Sequence, residues 1–225
     1  MTAPDAFAIL ARARTSVRGF TEQPVPDDVL RELLVNARLA PSGANLQPGS
    51  FIQVRGAVRE GLSLAMSAAY RDGSAEAEDY SYFPDPMPGH LRRRQVAAAR
   101  ALYDSIGIAR EDRGGRDQQF ERNFRFFDAP VALVVTIERG LGSGSFMDLG
   151  MALYGLLLAA QSRGLASCAI GALASYPGLV RAHLGLGPEA HIVCGVALGY
   201  ADADAPVNRT RTSRVDLDAF FRVLG

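Results

Sequence analysis

From residue 145 to 162 the chain reads SFMDLGMALYGLLLAAQS, apolar on almost every helical face, with one carboxylate, Asp148, near its start. A surface helix shows one apolar stripe; a helix apolar nearly all round must be buried on most faces. Its greasiest stretch, 146–160, falls short of the ~20 residues that span a bilayer. It therefore predicts a long buried helix inside a protein core, ended by Gly164. That much apolar surface exceeds what one small domain covers, so a subunit partner is reasonable.

The other elements are shorter. Helical spacing over 5–13 places Phe7, Ile9 and Leu10 together, and a polar turn follows at 15–19. Asp27 or Asp28 can cap a helix to about residue 40, with Val29, Leu30, Leu33, Leu34 and Ala37 on one face. Pro41, Ser42, Gly43, Ala44 and Asn45 break it before a short strand at 50–54. Residues 70–88 carry Asp72-Gly73-Ser74 and Pro84, Pro86 and Pro88, which cannot sustain regular structure. Helices are expected at 91–105 and 115–126, and PVALVVTI at 130–137 reads as a buried strand. Strand-like runs at 166–170 and 192–200 flank a helix at 176–184, and 217–224 is a short amphipathic segment. Few strands among many helices predict a layered fold containing both, in a single domain over 1–225 with a variable excursion at about 70–116.

Charge excludes several functions. The 24 basic residues balance 24 acidic ones. No basic excess exists to neutralise a run of phosphates, so nucleic acid is not an expected partner. All the basic residues are arginine, which removes Schiff-base and P-loop lysine chemistry. Cys168 and Cys194 form no C-x-x-C and lie in apolar runs, as reduced thiols of a cytoplasmic protein would. No secretory leader is recognisable at the start, and no membrane association is expected. His90, His183 and His191 lack metal-ligand spacing, and His183 and His191 flank a Gly/Pro turn as surface residues. Gly142-Ser143-Gly144-Ser145-Phe146 is neither a nucleophile elbow nor a dinucleotide fingerprint, and Ser145 reads as a helix cap.

Three polar clusters remain. Arg14, Thr15, Ser16 and Arg18 put two guanidiniums and two hydroxyls into one turn, suited to forked bonds with a phosphate or an anionic ring. Pro41, Ser42, Gly43, Asn45 and Gln47 form a loop of donors and acceptors suited to a heterocycle edge. Asn208-Arg209-Thr210-Arg211-Thr212-Ser213-Arg214 is the third. Taken one at a time, each also reads as a solvated turn.

The R-x-S-x-R turn, followed about 25 residues on by P-S-x-x-N-x-Q-P, resembles the FMN-dependent nitroreductase family. SFMDLGMALYGLLLAAQSRGLASCAIGAL is similar to its central helix and strand end, and CGVALGYAD with the arginines beyond it to its C-terminal signature. FPDPMPGHLRRRQVAAARALY, GIAREDR and RNFRFFDAPV are similar to its nitrobenzoate-reductase-like branch. The resemblance implies an α+β three-layer fold. A central mixed sheet would be flanked by helices around a long buried helix, in an intertwined homodimer with FMN at the subunit interface. It implies that Arg14, Thr15 and Ser16 hold the phosphate end and Arg18 the N1/O2 edge of the flavin, with Arg214 a further phosphate ligand. Pro41, Ser42, Gly43, Asn45 and Gln47 would line the ring from the partner chain. Gly171 and Ala172 would approach N5, and Asn123 the pyrimidine edge. Thr212 stands where relatives often carry lysine. Gly49 stands where an aromatic is common, which would widen the pocket.

The implied activity is ping-pong hydride transfer from NADH or NADPH through flavin N5 to a small nitroaromatic substrate, with no catalytic side chain needed because the cofactor carries the chemistry. The same fold also serves FMN-dependent dehydrogenation or reduction of non-nitro substrates. A non-catalytic flavin-binding module is the third alternative.

Overall fold

The computed structural model describes residues 3–225. In chain order the helices are Ala3–Ala13 (α1), Asp27–Ala37 (α2), Gly56–Arg71 (α3), Gly89–Ser105 (α4), Arg113–Glu121 (α5), Ser143–Ser162 (α6), Pro177–Leu184 (α7) and Leu217–Phe220 (α8). The strands are Ser50–Val54 (β1), Val131–Glu138 (β2), Ala166–Ile170 (β3) and Ala190–Gly199 (β4), and they form one sheet in the order β1-β2-β4-β3.

β2 shows why the sheet is central. Val131, Leu133, Val135 and Ile137 face one side, and there they join Leu30, Leu33 and Ala37 of α2 and Leu149, Leu156 and Ala160 of α6. Ala132 and Val134 face the other, with Leu62 and Met66 of α3, Val180 of α7 and the aromatics Phe124, Phe126 and Phe127. Successive side chains alternate between faces, so an uninterrupted apolar strand means that both faces are covered. The result is helices, sheet, helices: three layers, as expected.

Several expectations need correction. All three strand pairings are antiparallel, not mixed. Among the described residues the one parallel bridge is isolated, between Ser16 and Ser167. β1–β2 and β3–β4 are each joined at one end of the sheet, and only the β2–β3 connection, which holds α6, carries the chain from one end to the other. Residues 56–71, unassigned from the sequence, form α3, whose Ala, Gly and Ser content masks a face carrying Leu62 and Met66. α2 stops at Ala37, and tighter bonds from Leu39 N–H to Asn36 O and from Ala40 N–H to Ala37 O close it ahead of Pro41. The helix expected at 115–126 ends at Glu121 and gives way to a 3₁₀ segment, Arg122–Asp128, in which Phe126, Phe127 and Asp128 have φ of 52°, 53° and 60°. Ser145 is not the cap. α6 begins two residues earlier behind Gly142, and Ser145 is buried within it. Nor is His191 a surface residue, since its Nε2 is buried. The 217–224 segment is helical only over Leu217–Phe220.

α6 is also less covered than expected. Met147, Met151 and Tyr154 share one face and are exposed, Met147 by 67%. The apolar exterior that the sequence implied is real, and within one chain it faces outward. Cys168 and Cys194 are free and buried on neighbouring strands, on opposite sides of the sheet. Burial, with the other thiol nearby, pushes Cys194 up to about 12.

Candidate functional site

The 14–18 turn leaves α1 and runs along the outer edge of β3, where Val17 N–H donates to Ser167 O at 3.1 Å. Arg18 donates from Nη1 to Ser16 O at 3.1 Å, and its guanidinium carbon lies 5.9 Å from the centre of the Phe127 ring. Burial pushes the Cys168 thiol up, while Arg18, a Ser16 hydrogen bond and Arg14 pull it back. Arg14, Ser16 and Arg18 therefore converge beside one strand position. Neither arginine forms a salt bridge among the described residues, unlike Arg181 or Arg55. Half-buried guanidiniums without carboxylates are donors still open to an anion.

Asn208, at the start of the third cluster, holds this turn in place. Its Oδ1 accepts the N–H groups of Arg18 and Gly19 at 2.9 and 3.0 Å. The first and third clusters are thus neighbours, though 190 residues apart in sequence. Arg214 lies further along, in an exposed stretch, and donates to Thr212 Oγ1 at 2.9 Å. Its guanidinium is not brought onto the 14–18 turn.

The 41–47 loop is fixed from α6. Asp148, buried in the helix, accepts Gly43 N–H at 3.0 Å, and Ser42 Oγ accepts Gln47 N–H at 2.9 Å. Gln47 Nε2 donates to Asn45 O. A pocket of about 260 Å³ opens here, lined by Pro41, Ser42, Gln47, Phe51, Asp148 and Ala152 among others. Gly49 does not widen it. A Cβ at Gly49, whose φ is +91°, would stand 2.7 Å from Leu149 Cδ1 and 2.9 Å from Thr136 O. The position admits only glycine because the chain turns there against α6 and β2. Replacing Asp148 with alanine should leave Gly43 N–H unpaired and cost about 1–3 kcal/mol. Urea unfolding measures this, and the loss should be accompanied by faster amide exchange in 41–47 than elsewhere.

The strand end is covered by the excursion. A Cβ on Gly171 would lie 3.0 Å from Cε2 of Tyr82. The covering segment is stapled down. Tyr80 donates to Val193 O at 2.7 Å, and Glu76 accepts the N–H groups of Gly178 and Leu179 at the start of α7. Asp79 accepts from Arg181 at 2.6 Å and from Ile192 N–H at 2.9 Å. Burial alone would raise the Asp79 carboxyl; the Arg181 and Ile192 bonds and the nearby charges outweigh it and hold it below its ordinary value. Ala172 is half-buried beside Gly171. Asn123 turns its Nδ2 back onto Phe120 O at 2.6 Å, so that amide is engaged locally.

Asp148 and Tyr82 were not among the residues expected to form the site, and Asn208 was expected only as part of the third polar cluster, with no role of its own. The signal for Asp148 was present, since a lone carboxylate in so apolar a helix needs a buried partner. Nothing local in the sequence marks Tyr82.

The two polar motifs do not meet within the chain. Ser50, where the 41–47 loop enters the sheet, pairs with Thr136 at one end of β2. Ser16 lies by Ser167, whose row runs through Leu198 to Val131 at the other end, across the opposite edge. Four strand spacings, the last from β3 out to Ser16, and five residues of rise separate the motifs by roughly 25 Å.

A family model described as the nitroreductase family matches residues 11–200. The chain is 38% identical to a chloronitrobenzene nitroreductase of Comamonas testosteroni, over 94% of this chain and 93% of that one. It is 35% identical to a 4-nitrobenzoate reductase of Pseudomonas putida, over 98% and 96%. Among solved structures, the FMN and NADPH-dependent nitroreductase NfnB from Sphigopyxis sp. strain HMH superposes with a TM-score of 0.92 at 37% identity, covering 97% of this chain and 98% of that one.

Proposed function

The chain belongs to the nitroreductase family, and on that premise we propose that it is an FMN-dependent NAD(P)H oxidoreductase acting on small nitroaromatic compounds. The observation that carries the reading is the pair of arginines, Arg14 and Arg18, half-buried beside a strand edge and without a salt bridge among the described residues. That donor set fits an anionic cofactor. When bound, FMN supplies two-electron transfer between a nicotinamide and a nitro group.

The protein's own part is binding and orientation. Arg14, Thr15 and Ser16 hold the phosphate end, with Arg214 reaching it from the exposed C-terminal stretch. Arg18, steadied against Phe127, sets a positive charge beside the pyrimidine edge, where it favours the anionic reduced ring. The Gly171 and Ala172 backbone borders the ring, and Asn123 contributes only after releasing Phe120 O.

The Pro41, Ser42, Gly43, Asn45 and Gln47 loop enters from a second copy of the chain. Its roughly 25 Å separation from the arginine turn within one chain supports this. So do the exposed apolar face of α6, the tail beyond Asp216 with Phe220 82% exposed, and the outer edge of β1, unpaired among the described residues. We read the assembly as an intertwined homodimer in the cytoplasm.

The test is an absorbance spectrum of the purified protein, then anaerobic addition of NADH and NADPH. Bands near ~450 nm that bleach support the reading. A colourless protein that takes up no added FMN overturns it. Bound FMN that neither donor reduces indicates a flavin-binding module. Reduction without turnover of 4-nitrobenzoate or nitrobenzene indicates a non-nitro substrate.

A further inference from the structure

We propose that Asn208 is a positioning residue for the phosphate end of the site, registering the 14–18 turn against the C-terminal arginine segment. This rests on the reading above that those arginines and Ser16 take a phosphate.

The Asn208 carboxamide uses its full bonding capacity on two chain segments. Oδ1 accepts Arg18 N–H at 2.9 Å and Gly19 N–H at 3.0 Å. Nδ2 donates to Gly19 O at 2.7 Å and to Asp202 O at 2.8 Å. Two acceptor and two donor positions are filled at once, which only an amide of this length achieves. Aspartate has no donor for the two carbonyls, and serine is too short to reach both sides.

The backbone is shaped for this contact. A Cβ on Gly19 would stand 2.5 Å from Ala205 Cβ and 3.2 Å from Asn208 Nδ2. Glycine at 19 is therefore what lets the two segments touch. The 3₁₀ turn Pro206–Arg209 carries Asn208 and is itself anchored. Thr210 Oγ1 lies 2.8 Å from Ser105 Oγ at the end of α4, and Arg211 donates to Asn208 O at 2.8 Å. Arg18 and Arg211 thus sit on the two sides of one residue. Without the amide, the turn between α1 and Phe20 keeps the Val17 N–H bond to Ser167 O and its bridge to the strand. Cations held in place beforehand bind an anion more tightly than cations that must be ordered on binding.

FMN and riboflavin differ only in the phosphate, so their affinities separate this role from general damage. Both are measured by flavin fluorescence quenching on the flavin-free protein. Asn208→Ala should weaken FMN by about tenfold or more and leave riboflavin within about twofold. Gly19→Ala should do the same by pushing the segments apart. Gly19→Ala with Ala205→Gly, which removes the opposing methyl, should recover most of the FMN affinity. An Asn208→Ala protein that binds both flavins like the parent, or loses both equally, overturns the proposal. If Asn208→Ala does not fold, the Gly19 and Ala205 pair decides: equal loss of both flavins, or no recovery in the double variant, counts against it. A parent protein that binds riboflavin as tightly as FMN overturns the phosphate reading and this proposal together, whereas failure confined to the variants overturns this proposal alone.

Discussion

A chain ending at residue 215 should be a monomer that no longer retains FMN. The removed segment carries Leu217, Phe220, Phe221, Val223 and Leu224, all exposed, Leu224 by 93%. Monomeric proteins rarely leave five such side chains uncovered in one stretch. Burying each against a second subunit is worth about 1.5–3 kcal/mol before the cost of ordering the tail. The truncation ends after Arg214, so no proposed phosphate ligand is lost with it. Sedimentation velocity reports the mass, and the absorbance of desalted protein reports retained flavin. A truncated dimer that stays yellow would assign the contact to the α6 face of Met147, Met151 and Tyr154 and the outer edge of β1 without the tail.

Phe126→Ala should lower the unfolding free energy by about 3–5 kcal/mol, among the largest losses a single core truncation gives. Phe126 is fully buried between the sheet and the 3₁₀ turn that follows β3, where the space beside Gly195 is filled by its ring. It also opens a run of three positive φ values. Left-handed backbone costs a side chain about 1–3 kcal/mol, and burial of the ring is what holds it there. Alanine keeps the backbone cost and discards most of the burial. Denaturant titration measures the difference. Phe120→Ala, at a 40% exposed position on α5, should cost much less.

Much of the layering was legible beforehand. The apolar strand 130–137 required cover on two sides and obtained it, whereas the greasy helix 145–162 packs one face on the sheet and α2 and leaves Met147, Met151 and Tyr154 outward. The boundaries that failed did so for tertiary reasons. Nothing in RNFRFFD announces a left-handed turn; the rings of Phe126 and Phe127 are driven into the core, and the backbone follows. α3 was hidden because its buried residues are few and spaced among Ala, Gly and Ser. At the site, the arginine turn and the 41–47 loop were visible as clusters of donors. Their partners were not, because Asn208 and Asp148 act across 190 and 105 residues. The mixed sheet came from the resemblance, and one chain's four strands pair antiparallel throughout.

The two polar motifs stand at opposite corners of the sheet, and this has a genetic consequence. If each site takes its arginine turn from one subunit and its loop from the other, the two defects are separable. A chain damaged at Arg14 and a chain damaged at Asp148 each build two impaired sites as homodimers. Mixed together, they form heterodimers in which one site collects both lesions and the other collects neither. Co-expressing two inactive alleles should therefore restore function, up to half the activity of the intact protein per heterodimer, whereas two lesions within the same motif should never complement.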